Sequence, residues 1–256
     1  MFSLRTGWIF LAALVLAMPA SWSQTTLASD EPIKFFHSLY VDGVVTQLTG
    51  VSSMQQYTFG ARKGAYGVYG QIQNAWSDTH GSDALYQYSA RGLTISAGLR
   101  YWLPGEAWYG FAQVGHVLTG NSKGTDEERL GLAGFNEWDF GKKKDKVLDF
   151  YGDLTWVNNP DTADTYLTMR VRDGKVLHQE GNSRLWAYGV GQLNGSASGS
   201  NGINNRIEAG VGLGYRTYQA PFGMNASFEL REGYSFQGVI AHKTYFNPTF
   251  IISGGF

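Results

Sequence analysis

Residues 247–256 read NPTFIISGGF, and their side chains alternate in size and polarity along the chain. Successive side chains of a β-strand point to opposite faces, so Phe250, Ile252 and Phe256 share one face. A strand with this apolar row needs a neighbour on each edge and an apolar surrounding, which a closed barrel in lipid supplies. The stretch therefore predicts the last strand of a transmembrane β-barrel. The alternative is an edge strand of a soluble β-sandwich.

Alternating large apolar residues that end in Phe resemble the assembly signal of bacterial outer-membrane β-barrels. The resemblance implies that Phe250, Ile252 and Phe256 are read by the barrel assembly machinery. It also implies that the protein lies in the bacterial outer membrane, in contact with outer-membrane lipid.

The other end of the chain predicts export. Arg5 precedes a largely apolar run over residues 7–20, and small residues stand at Ser21 and Ser23. A positive start, a short apolar run and small residues before the cleavage point are the features of a secretory signal peptide. We expect a signal peptide over residues 1–23, with Ala20 as a competing cleavage site, and a barrel over residues 24–256. The alternative is an uncleaved anchor.

The composition is that of a β-protein without disulfides. The chain has 34 Gly in 256 residues, 15% aromatic residues and only 16% charged residues, whereas ordinary domains hold about 7% Gly and 25% charged residues. Its formal net charge of -1 offers no basic excess, so no nucleic-acid partner is expected. The absence of Cys excludes thiolate metal sites, and no His and acidic residues have the spacing of metal ligands, so no cofactor is expected.

Runs with a period of two recur along the mature chain and predict an all-β fold. The fold class is a transmembrane antiparallel up-and-down β-barrel of about 12 strands, with 10 or 14 as alternatives. The predicted strands are 33–42, 56–62, 68–77, 92–101, 108–118, 130–140, 148–156, 166–172, 175–193, 206–217, 224–231 and 247–256.

The connections between these runs alternate in length. Long stretches follow residues 43, 78, 119, 158 and 194, whereas the intervening turns are short, and one of them is the hairpin dipeptide Asp173-Gly174. Short turns at one end and longer loops at the other are typical of outer-membrane barrels. Residues 232–248 leave room for a further pair of strands.

The polar face of the strands carries charges of both signs. The charged residues predicted to face the lumen are Arg100, Asp149, Asp153, Arg170, Arg172, Glu208, Arg216, Glu229 and Arg231. We expect Arg170, Arg172 and Arg216 to pair with Asp149, Asp153 and Glu208. The row Gly210, Gly212 and Gly214 leaves space on one wall for large side chains such as Tyr151 or the arginines. Two interpretations remain open: the charges fill the barrel as paired groups, or they line a conduit for a polar substrate.

No arrangement in the sequence favours catalysis. Residues 78–83 read DTHGSD and contain the residue types of nucleophilic catalysis, but a Gly-containing loop fixes neither base nor nucleophile. His37-Ser38 is interpreted as a rim position. We therefore expect no enzyme, with an outer-leaflet lipid-modifying enzyme as the weakest alternative.

Three further stretches resemble a narrower group of barrels. SAGLRYWLP at 96–104, LDFYGDLTW at 148–156 and RIEAGVGLGYRTY at 206–218 are similar to the barrel modules of exopolysaccharide-export and phage-adsorption proteins. The resemblance implies a porin-like channel or export component for a polar polymer such as an exopolysaccharide, with a separate periplasmic export partner. The alternative is a structural or receptor-type barrel with a closed lumen.

Overall fold

The computed structural model describes residues 31–46, 50–77, 92–120, 123–141, 145–159, 162–197, 205–219, 222–237 and 242–255. Three sequence predictions fall outside these ranges: the signal peptide, the loop at residues 78–83 and Phe256. Within the described ranges, no helix is long and apolar enough to cross a membrane.

Twelve antiparallel strands close into one barrel. They are β1 (Lys34–Thr46), β2 (Gly50–Lys63), β3 (Tyr66–Ser77), β4 (Gly92–Trp102), β5 (Trp108–Val117), β6 (Asp126–Phe140), β7 (Lys146–Asn159), β8 (Thr162–Glu180), β9 (Ser183–Ser196), β10 (Asn205–Gln219), β11 (Phe222–Gln237) and β12 (Lys243–Gly255). Each strand pairs with its chain neighbours, and β12 pairs with β1 to complete the ring. Closure satisfies the backbone hydrogen bonds of every strand edge, which hydrocarbon requires.

The barrel is apolar outside and polar inside. Leu99 and Val211 on the outer surface are 60% and 63% exposed, whereas the inward carboxylates of Asp149 and Glu229 are completely buried. A soluble barrel would bury the apolar row instead. The structure therefore confirms the transmembrane antiparallel β-barrel and the count of twelve strands. It also confirms that Phe250 and Thr249 of β12 face opposite ways, since Phe250 is 45% exposed and Thr249 is buried.

The predicted hairpin at Asp173-Gly174 is wrong. Strand β8 continues through both residues to Glu180, and the chain turns at Gly181, which has a positive φ of 54°. Gly174 is needed for packing, because a Cβ there would lie 2.5 Å from the Cβ of Tyr188. Asp-Gly, a dipeptide that is typical of turns, thus lies inside a strand. Glycine stands at position 174 because Tyr188 leaves no room for a side chain there.

Other predicted strand boundaries are wrong because polar side chains that point into the barrel look, in the sequence, like the polar residues of a loop. Residues 232–248 hold no additional pair of strands; they complete β11 and begin β12. Strand β2 begins at Gly50, within a polar stretch predicted as a loop, because Ser52 points into the barrel and is fully buried. The connections after residues 43 and 158 are therefore short, not long: strand bounds leave three residues between β1 and β2, and two between β7 and β8.

Candidate functional site

The barrel encloses a cavity of about 450 Å³ whose wall includes side chains from all twelve strands. Tyrosines form part of this wall, including Tyr69 and Tyr109, and uncharged amides form another part, including Gln113 and Gln192. Because every strand contributes to its wall, this cavity is the candidate functional site of the barrel.

The structure places the predicted lumen-facing charges on the inner side of the strands. Those that line the cavity are Arg100, Asp153, Arg170, Arg172, Glu208, Arg216 and Arg231. Asp149 and Glu229 are fully buried beside Arg172, with nitrogen-to-oxygen contacts to that guanidinium. Phe250 and Ile252, the residues predicted to belong to an assembly signal, lie on the opposite, outer face of β12.

Glu229 is the centre of a buried ion network. Its carboxylate accepts hydrogen bonds from Arg172 of β8 and from Arg231 beside it on β11, where the Arg231 Nε to Glu229 Oε2 distance is 2.6 Å. The Tyr188 hydroxyl also donates to Glu229, at 2.9 Å. The other side of the Arg172 guanidinium faces Asp149 at 3.6 Å. Two guanidinium groups and a hydroxyl thus bind the Glu229 carboxylate, whereas both oxygens of Asp149 lack a hydrogen-bond donor among the described residues and rely on the charge of Arg172.

Glu208 extends the network toward β12. It accepts hydrogen bonds from Arg231 and Arg206, both at 3.0 Å, and from the Tyr245 hydroxyl at 2.7 Å. Asn247 donates a fourth bond to the same carboxylate at 3.0 Å. The expected pairing of Glu208 with Arg170, Arg172 or Arg216 is wrong, because Arg206 of β10 and Arg231 of β11 bind its carboxylate instead. This side of the barrel is thus held together by alternating charges.

The glycine row of β10 makes this network possible. The ring of Tyr188 lies across Gly212, where an added Cβ would be 2.7 Å from it, and Trp186 lies in the same way against Gly214. Tyr188 in turn lies 5.0 Å beneath the Arg172 guanidinium. The large side chains expected over the glycine row are therefore Tyr188 and Trp186 of β9. Tyr151 does not take this place, and its hydroxyl donates to Asp153.

Gly212→Val should therefore destabilise the barrel. The new side chain would push Tyr188 away from Glu229, and overpacking of this kind costs about 1 to 3 kcal/mol. Guanidinium-induced unfolding followed by tryptophan fluorescence measures the loss. Gly191→Val is the matched control, since an added Cβ at Gly191 meets nothing within 4 Å. Equal stability of the two variants would contradict the packing role of Gly212.

A second ion cluster lies near the end of the barrel that carries the short turns. Glu137 of β6 accepts hydrogen bonds from both Arg184 of β9 and Arg216 of β10. Arg184 also donates to Asp139, at 2.8 Å. These contacts pass in front of β7 and β8, so they narrow the interior at this level.

Sequence reasoning missed several inward charges. They are Asp42, Glu127, Arg129, Glu137, Asp164, Arg184 and Arg206. Glu127 and Arg129 precede the predicted start of β6 at residue 130, and Arg206 stands at the first position of its predicted strand. Extending the period-two alternation past the predicted strand boundaries would have found Glu127, Arg129 and Asp164, whereas the other four lie within predicted strands.

Two interior arginines have no carboxylate oxygen within 4.0 Å among the described residues: Arg100 and Arg170. The Arg100 guanidinium lies over the rings of Tyr69 and Tyr109, at 4.3 and 4.6 Å from their centroids. Arg170 lies 5.4 Å from the ring centroid of Tyr151. Stacking leaves the edges of a guanidinium available to an anion.

The wall formed by β2 to β5 is polar but largely uncharged. The Tyr69 hydroxyl donates to Gln113 at 2.8 Å, and Gln113 donates to Gln71 at 3.3 Å. Gln71 then donates to Thr58 at 3.3 Å. In the part of the chain that the structure describes, no group of three His, Cys, Asp or Glu residues is placed to hold a metal.

Comparisons with known proteins identify only distant similarity. No family model matches the chain, and no curated protein matches it. The β-domain of the Bordetella autotransporter BrkA is similar at 12% identity and a TM-score of 0.46, over 88% of this chain and 99% of that one. The KdgM porin in complex with disordered oligogalacturonate has 8% identity and a TM-score of 0.42, over 86% of this chain and 98% of that one. The COG4313 outer-membrane channel from Pseudomonas putida F1 has 12% identity and a TM-score of 0.41, over 88% of this chain and 97% of that one.

Proposed function

From the premise that the chain is a bacterial outer-membrane β-barrel, we propose that its interior is a narrow channel for anionic polar solutes. The observation that supports this most directly is the position of Arg100 and Arg170. Both line the cavity, and neither has a carboxylate oxygen within 4.0 Å in the described ranges. In an interior where the other arginines bind carboxylates, these two are the cations available to a passing anion.

The chemistry of the wall favours an acidic saccharide as the solute. Tyrosine rings offer flat surfaces for the apolar faces of sugar rings, and the amides of Gln71 and Gln113 both donate and accept hydrogen bonds to hydroxyls. Guanidinium groups bind carboxylates with two parallel hydrogen bonds. An exopolysaccharide chain is the polymeric form of such a solute, and its export would need a periplasmic partner. We propose passage through the barrel without a reaction on the solute.

A planar-bilayer measurement tests the channel. The reconstituted protein should conduct, and in a KCl gradient its reversal potential should indicate anion preference, because seven arginines but only three carboxylates line the cavity among the described residues. Arg100→Gln with Arg170→Gln should move the reversal potential toward cation preference and weaken block by an oligomer of a uronic acid. A neutral glucose oligomer of the same length should block both proteins equally.

Lys63→Gln is the control for this experiment. It removes a positive charge from the outer surface at the exposed end of β2, so the reversal potential should stay unchanged. A barrel that conducts neither before nor after the arginine changes would sink the channel proposal. It would favour a closed structural or receptor-type barrel, for which the paired network around Glu229 is the supporting observation.

A further inference from the structure

The outer surface of the barrel carries a groove of about 800 Å³ along β9. Ala187 and Gly189 form its floor, and Leu213 of β10 and Phe228 of β11 form one apolar wall. Phe140 of β6 stands at the other side. Since these side chains face away from the lumen, the groove opens toward lipid.

The small residues of the floor are not required by the packing of the chain itself. A Cβ at Gly189 would only approach two backbone oxygens at 3.9 Å, and one at Gly191, the next residue on the same face of β9, would meet nothing within 4 Å. Gly212 and Gly174, by contrast, lie directly against a neighbouring side chain. Neither Gly189 nor Gly191 has a positive φ that would favour glycine. The floor is therefore open for an occupant from outside the chain.

Two lysines stand at the end of the groove nearest the short turns. Lys146 is the first residue of β7, and Lys175 of β8 is its direct cross-strand partner. Like charges directly opposite each other in a ladder are destabilising unless an anion lies between them. Asp173 lies on the same face two residues before Lys175, which leaves the three charged groups with a net positive charge.

We infer that this groove binds an anionic phospholipid, with its phosphate between Lys146 and Lys175 and its acyl chains on the floor of β9. Lys146 lies at the end of β7, where a head group lies in a bilayer, and Lys175 lies opposite it inside β8. The apolar walls of the groove continue from there along β10 and β11. A lipid fits both halves of the site, because it combines a phosphate with an apolar tail. The inference is independent of what passes through the lumen.

Lipid retention in detergent tests the site. The purified barrel is mixed with dioleoylphosphatidylglycerol or dioleoylphosphatidylcholine in neutral micelles, and bound lipid is counted by native mass spectrometry. We expect phosphatidylglycerol to bind about tenfold or more tightly, since each lysine near the surface adds about a fivefold preference for anionic lipid. Lys146→Gln with Lys175→Gln should abolish that preference.

Two further variants complete the design. Gly189→Leu should fill the floor and lower retention of both lipids, whereas Lys63→Gln, an outer-surface charge at the same end of the barrel, should change nothing. Equal binding of both lipids to the natural chain would overturn the role of the lysines, and unchanged retention by Gly189→Leu would overturn the role of the groove. A dimer that becomes a monomer in Gly189→Leu would assign the groove to a second copy of the chain instead.

Discussion

Arg231→Met is expected to lower the free energy of unfolding by about 3 to 5 kcal/mol. Arg231 donates to Glu229 through Nε at 2.6 Å and to Glu208 through Nη1 at 3.0 Å, and both carboxylates are almost completely buried. Removing the guanidinium leaves two negative charges close together without the cation that joins them. Guanidinium-induced unfolding of the barrel in detergent, followed by tryptophan fluorescence, measures the loss.

Arg100→Met is the matched control for this prediction. It makes the same substitution inside the same barrel, but Arg100 lies over the rings of Tyr69 and Tyr109, and no carboxylate of the described residues lies within 4.0 Å of it to be left unpaired. The expected loss is about 1 to 2 kcal/mol, the value of a desolvated cation–π contact. Equal losses in the two variants would mean that the carboxylates on Arg231 contribute nothing beyond packing.

Filling and conduction are compatible in this interior because they use different arginines. Arg172 and Arg231 are held by carboxylates on the side of the barrel formed by β7 to β12. Arg100 and Arg170 are held against tyrosine rings. The first set determines how rigid the wall is, and the second set determines which charge the cavity attracts.

The sequence predicts the fold well where one face of a strand is uniformly apolar. In β4 and β7, every second residue is apolar over most of the strand, so the alternation alone indicates which side faces lipid. In β2, Ser52 and Thr58 point inward among other polar residues, and local polarity does not distinguish a lumen face from a loop. The boundaries of such strands depend on pairing with their neighbours, which the sequence does not display.

The candidate site is predicted as a set of residues but not as a set of contacts. Arg172 reaches Glu229, which is 57 positions away and three strands along the barrel, because Gly212 lets Tyr188 lie flat between them. No local pattern indicates that contact. The sequence likewise does not indicate that Arg100 and Arg170 lack the carboxylate partner that Arg172 has, because all three arginines point inward from their strands and differ only in their spatial neighbours.

Leu154→Arg should greatly lower the fraction of molecules that fold into a stable barrel. Leu154 lies on the outer face of β7, 43% exposed, between its cross-strand partners Leu132 and Leu167. An arginine there places a charge against hydrocarbon, which costs about 2 to 4 kcal/mol near the middle of the bilayer. The fraction of protein that migrates faster before boiling than after it, in vesicles over a range of urea concentrations, measures the effect.

The adjacent residue supplies the control, because one step along a strand crosses from lipid to lumen. Asp153 points inward and accepts hydrogen bonds from Thr155 at 2.6 Å and Tyr151 at 3.2 Å. Asp153→Asn keeps an acceptor oxygen for one of the two hydroxyls, its NH2 group can donate to the other, and it adds no charge, so the folded fraction should stay close to that of the natural chain. If both variants were tolerated equally, hydrocarbon would not face Leu154, and the orientation of the whole strand set would have to be reversed.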